Sequence, residues 1–152
     1  MYTIEHLRHL FEYDDWANRR VIAALRKHES DRCRQILAHL LRTKQEWYDR
    51  IHGKYADGPV FWPDLTIDEC SALSNATKEQ FEQLLAKFDD EGLGLRADYK
   101  NSKGVPFSNT FREILTHVLF HSAIHRGNII LKVREEGIEP PHTDYIIYLR
   151  KT

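Results

Sequence analysis

Residues 115–129, LTHVLFHSAIHRGNI, decide the fold. His117, His121 and His125 recur every four residues within an otherwise apolar segment. Four residues slightly exceed one helical turn, so on a helix the three rings stack along one side. Ile114 and Val118 share that four-residue spacing, as on a helix, and His117 lies further round, closer to Ile124. At about 100° per residue, His121 and His125 fall beside Ile114 and Val118, toward the interior, with His117 at the margin. Imidazoles on such a face are either hydrogen-bonded structural histidines or ligands sharing a metal ion.

Working outward, the same helix opens at Asn109 or Thr110 and runs to about Glu136. Gly137 ends it, and Pro140 with Pro141 prevents continuation. Before it, LRADYKNSKGVPFSNT has short alternating pieces around a Lys-Gly turn, the pattern of a small hairpin or irregular loop. Residues 3–28 form an amphipathic helix with Thr3 as N-cap, Glu5 in the first turn, and Ile4, Leu7, Phe11, Val21, Ile22 and Leu25 on its inner face. Asp14 falls inside that apolar arc and needs a partner: a buried ion pair, or a group supporting a metal ligand. Ser30 caps a second helix over 31–52, closed by Gly53, with Ile36, Leu37, Leu40, Leu41, Trp47 and Ile51 inward. The short connection predicts that these two helices are antiparallel neighbours. Residues 53–65 hold two prolines and two glycines and are not helix. Phe61 and Trp62 are expected to cover one end of the core. Thr66 with Glu69 forms a capping box for a third helix, which Gly92 is expected to close. TDYIIYLRK is a short final helix or a packed tail. The simplest architecture is all-α: one domain over 1–152, a four-helix bundle with long crossover connections.

Composition bounds the function. The 152 residues carry 22 Lys plus Arg against 23 Asp plus Glu, mixed along the chain. That balance gives no electrostatic reason for a nucleic-acid or anionic-membrane partner. Nothing approaches a run of ~18 apolar residues, and the first residues lack the apolar core of a signal peptide. The two cysteines, Cys33 and Cys70, form no CxxC pair and fit a reducing cytoplasm. Histidine is the outlier at nine; His6, His9, His28, His52 and His142 are scattered and read as chance enrichment.

Both His117/His121 and His121/His125 have the i, i+4 spacing that lets two imidazoles reach one ion. A stable zinc site needs a third protein ligand. His39, at the edge of the second helix's apolar arc among Ile36, Leu37, Leu40 and Leu41, is the best candidate. A zinc-peptidase helix would carry Glu directly after its first histidine; Ser122 stands there instead, which excludes that chemistry.

Four segments then resemble one family: YDDWANRRVIAAL (13–25), ILAHLLRTKQEWYDRI (36–51), LTHVLFHSAIHRGNI (115–129) and GIEPPHTDYIIYL (137–149). Together they are similar to the DinB/YfiT-like family of bacterial damage-inducible, metal-dependent proteins, unrelated to the lesion-bypass polymerase of the same name. The resemblance implies a four-helix bundle of unusual connectivity holding one divalent metal, zinc or nickel. It implies the ligands His39, His121 and His125, which selects the later histidine pair. His117 would then orient the site, Arg126 anchor an acidic partner, and Gly127 allow close helix approach. Asn128 replaces a frequent Gln.

Three neutral imidazoles leave an ion's double charge uncompensated, so it lowers the pKa of a bound water or thiol. Relatives that transfer or isomerise with small-molecule thiols make a thiol S-transferase acting on an electrophile the first expectation. A hydrolase activating water is the second, with Asp14 or Glu46 as general base. A non-enzymatic metal-binding stress-response protein is the third. Imidazole also accommodates copper and iron. Trp16, Tyr48 and Phe120 are expected to form an exposed aromatic surface, consistent with a homodimer.

Overall fold

The structure, a computed structural model, describes residues 2–55 and 58–150. It is mostly helical, with one two-stranded sheet. Helix α1 spans Ile4–Lys27 and starts where the Thr3 hydroxyl accepts a hydrogen bond from the His6 amide. Glu5 in its first turn and Arg26 and Lys27 in its last complement the helix dipole. Helix α2, Asp31–Ile51, starts on the Ser30 hydroxyl in the same way. Helix α3, Ile67–Ala86, and helix α4, Phe111–Glu135, each carry a reciprocal cap, Thr66 with Glu69 and Thr110 with Glu113. Strands β1, Arg96–Lys100, and β2, Pro106–Thr110, pair antiparallel, with Arg96 opposite Thr110 and Lys100 opposite Pro106. Gly104 turns the hairpin at φ +77°, a conformation costly for any residue with a Cβ. A short helix α5, Tyr145–Leu149, follows the two prolines.

The third helix stops at Ala86, well before Gly92. Asp89 accepts a hydrogen bond from the Gly92 amide and Asp90 from that of Ile4, drawing the chain away from the helix axis. Gly92 instead opens a 3-10 turn, Gly92–Gly94, which buries Leu93.

The main helix contacts run α1 on α3, α3 on α2, α2 on α4 and α4 on α1. The expected side-by-side pairing of α1 with α2 is therefore replaced: α3 and α4 lie against both. Helices α1 and α2 meet through side chains in a shared cluster, where Val21, Ile22 and Leu25 join Cys33, Ile36 and Leu37. A second cluster gathers Leu7, Phe11, Phe81, Leu85, Leu93, Leu115 and Val118. The turn after α1 is tied to the end of α4 by Glu136, which contacts His28 Nε2 at 2.8 Å and accepts from the Ser30 hydroxyl at 2.8 Å. That gives one scattered histidine a structural role.

Candidate metal centre

The α2–α4 packing sets the site. On α4, Ser122 and Arg126 point into the protein, each one residue along from His121 and His125, which are half-buried on the rim. The sequence reading placed those two rings in the interior; Ser122 and Arg126 take that position because Asp14 is there to receive them. The Asp14 carboxylate, 1 % exposed, accepts from Ser122 Oγ at 2.6 Å, Arg126 Nη1 at 2.8 Å and Lys44 Nζ at 2.9 Å. Asn18 Nδ2 is 3.3 Å away. Burial pushes this carboxyl up, but Lys44, Arg126 and the Ser122 hydrogen bond outweigh it and hold it at about 2. Asp14 is thus a buried ion-pair centre, the first of its two expected roles, and the acidic partner expected for Arg126. The network joins α1, α2 and α4, and so determines which way the His121 and His125 side of α4 faces.

His39, His121 and His125 converge, each offering a ring nitrogen within 4.8 Å of the others. The His39 ring lies 5.3 Å from that of His121 and 4.5 Å from that of His125, and the latter two are 4.5 Å apart. His39 Nδ1 is 2.6 Å from the Phe61 carbonyl oxygen. A carbonyl only accepts, so Nδ1 carries the proton and the Nε2 lone pair is left for a ligand. A hydrogen bond from the far nitrogen to a carbonyl is the usual outer support of a metal-binding histidine. Burial, then the neighbouring rings of His125, His39 and His117, pushes His121 down to about 4; burial and His39 lower His125 as well. Both shifts favour the uncharged ring, the form that coordination requires. Donor type, number and tautomer all fit a divalent ion.

Phe61 and Trp62 do not close an end of the core. Trp62 lies over the histidines, while Phe61 meets His39 through its carbonyl: the Trp62 indole stacks on His39, centroids 3.9 Å apart and planes 4° off parallel, and meets His125 edge-on at 6.2 Å. Arg34 pins the far side of this loop, donating to Asp64 at 2.9 Å and to the Leu65 carbonyl. No helix or strand periodicity marks such a cover, so the Phe61 carbonyl and the Trp62 face escaped the sequence reading; two adjacent aromatics in a Pro-rich loop were the only signal.

His117 stays outside the cluster, its ring 6.0 Å from His121 and 5.2 Å from Trp47. Burial and nearby Arg50 lower its pKa. Gly127 makes no close helix approach: a Cβ there would meet nothing within 4 Å. Trp16, Tyr48 and Phe120 have three different surroundings. Trp16 packs on Tyr148, Tyr48 joins the Phe81 cluster, and Phe120 alone stands open, 59 % exposed.

Fold and site together define a helical protein with a three-histidine cluster able to hold a metal ion. The DinB family model matches residues 1–152, and the chain belongs to the DinB family. It is 26 % identical to Protein DinB of Bacillus subtilis (strain 168), over 94 % of this chain and 93 % of that protein. Its fold resembles the crystal structure of a DinB-like protein from Bacillus cereus ATCC 10987, with a TM-score of 0.70 at 17 % identity, covering 93 % of this chain and 99 % of the other. Among the described residues no helix is long and apolar enough to cross a membrane.

Proposed function

We propose that the protein is a metal-dependent thiol S-transferase, its four long helices forming one bundle of crossed connectivity. His39, His121 and His125 would hold a zinc or nickel ion, and the observation carrying this reading is their convergence with the His39 Nδ1 proton committed to Phe61. A divalent ion held by uncharged imidazoles retains its full charge and supplies Lewis acidity that lowers the pKa of a thiol. In this reaction class the thiol loses its proton, a sulfur–carbon bond forms, and the leaving group departs from the electrophile with the electron pair. The chain's own residues arrange the site. The Phe61 carbonyl sets the His39 tautomer, Trp62 keeps water from one face of that ring, and Asp14 holds α4 in register through Ser122 and Arg126.

The state of the chain's own cysteines favours an external thiol as the nucleophile. Cys33 and Cys70 are buried, and burial pushes both thiols up, Cys70 to about 11, so neither is a ready thiolate. Their free, separated state suits a reducing cytoplasm. Hydrolysis is less well supported, because both proposed bases are occupied. Asp14 is held by Lys44 and Arg126, and Glu46 lies against Arg42 at 3.2 Å and Arg50 at 3.5 Å. A purely structural metal role is disfavoured by the half-buried, one-sided setting of His121 and His125.

The test is cobalt substitution. Added small-molecule thiols should shift the visible spectrum, and thiol plus electrophile should turn over where esters and amides do not. A spectrum indifferent to thiols would refute the reading.

A further inference from the structure

Helix α2 carries a polar row that continues away from His39. Thr43, Glu46 and Arg50 follow at intervals of four, three and four residues, which keeps them on one side of the helix. Two buried side-chain atoms in this row lack a hydrogen-bond partner among the described residues: Thr43 Oγ1, and Arg50 Nε, which faces Glu46 Oε1 only across a looser ion-pair contact of 3.5 Å. A helical threonine usually satisfies its hydroxyl on the carbonyl one turn back, so an unsatisfied one is informative. Arg50 is also short of negative charge. It shares Glu46 with Arg42, at 3.5 Å and 3.2 Å respectively, so two guanidiniums divide one carboxylate.

The Arg50 guanidinium is held in place. It lies 5.0 Å from the Trp47 ring centroid and 5.8 Å from that of Phe61. Trp47 leads through His117 to His121, while Phe61 is the residue whose carbonyl holds His39. The contacts close a ring that runs from the histidine cluster to Arg50 and back. Along the helix, Thr43 sits about 6 Å and Arg50 about 16 Å beyond His39 at the level of the backbone. A long arginine side chain can shorten the second span by several ångströms. A planar guanidinium can meet a carboxylate in two-point contact, its Nε edge here already turned toward Glu46, and Thr43 offers a hydroxyl on the way.

We infer that Arg50, assisted by Thr43, is a recognition site for a carboxylate on the substrate, placed so that the reactive end of the same molecule reaches the three histidines. The inference rests on the functional reading above and names its substrate class: a small acid whose carboxylate is several bonds from the reacting atom. That carboxylate belongs either to the thiol or to the electrophile.

The test measures binding by calorimetry, using 6-mercaptohexanoate, its primary amide, and hexanoate as the thiol-free acid. Each probe is titrated into metal-free and zinc-loaded protein, wild type beside Arg50→Gln, Arg50→Lys and Thr43→Val. Wild type should bind an acid at least tenfold more tightly than the uncharged amide. Arg50→Gln should abolish that preference, Arg50→Lys should retain only part of it, and Thr43→Val should weaken it about threefold. Preference for the mercapto acid over hexanoate in zinc-loaded protein assigns the carboxylate to the thiol; equal binding of the two acids assigns it to the electrophile. Acid and amide binding equally to wild type would overturn the inference, as would an Arg50→Gln protein that keeps the preference. Should Arg50→Gln fail to fold, unchanged preference in both Arg50→Lys and Thr43→Val overturns it instead. The metal-free titrations separate this outcome from failure of the metal reading, because Arg50-dependent acid preference without bound zinc stands by itself.

Discussion

Replacing Asp14 by Asn keeps the shape of the network centre and removes its charge. Lys44 and Arg126, 4 % and 3 % exposed, then face each other's charge with no carboxylate between them. The Asp14 carboxyl is held down from 3.8 to about 2, and a depression of that size corresponds to charge-dependent stability on the order of 2–3 kcal/mol. Breaking a buried ion pair by removing one partner costs about 3–5 kcal/mol in general. Asp14→Asn should therefore lose roughly 2–5 kcal/mol in urea unfolding at pH 7, or roughly 10 °C in Tm for a domain of this size. The sign with pH follows from the direction of the shift. A carboxyl held below its unfolded value stabilises fully above about pH 4 and loses that contribution as pH falls toward 2. The gap between wild type and variant should thus be widest at neutral pH and shrink steadily through this range. A loss under about 1 kcal/mol at pH 7, or a gap constant down to pH 2.5, would refute the account of Asp14 as the charged anchor of α4.

Trp62→Ala removes the ring stacked on His39 while leaving the Phe61 carbonyl; an aromatic contact of this kind contributes about 0.5–1.5 kcal/mol. Zinc affinity by competition with a chromophoric chelator should fall roughly three- to tenfold with the unfolding midpoint nearly unchanged. Thr110→Ala deletes the N-cap of α4 and should cost about 1 kcal/mol in urea unfolding, with Glu113→Gln costing less, because an amide still serves the reciprocal bond. Phe120→Glu places a charge on the one open aromatic of α4. It should leave folding unaltered by circular dichroism and, if two copies associate through that face, lower the mass seen by light scattering.

The helix starts were legible because capping is local: Thr3, Ser30 and Thr66 each satisfy an amide three residues on. The end of α3 was not, because it depends on Asp90 reaching Ile4, 86 residues away in sequence. The histidine set was legible through spacing on α4 and one inward-edge histidine on α2, and the family resemblance selected between the two possible pairs. The orientation of α4 was misjudged by one residue. Hydrophobic pattern alone cannot foresee that a buried carboxylate on α1 draws a serine and an arginine inward and leaves the histidines on the rim. The expected close approach at Gly127 failed for the same reason, since glycine on a solvent-facing side meets no neighbour. The loop itself was legible from its prolines and glycines, but its contact with His39 was not, because that contact lies in a backbone carbonyl and one indole face, and neither carries a spacing signature.

The central claim is that His39, His121 and His125 hold one divalent ion between α2 and α4. Elemental analysis of purified protein tests it most directly, with wild type beside His39→Ala and His121→Ala, each verified as folded by circular dichroism. The account predicts one equivalent of zinc or nickel in wild type and loss of most of it in both variants. Equal metal content in all three proteins would contradict it.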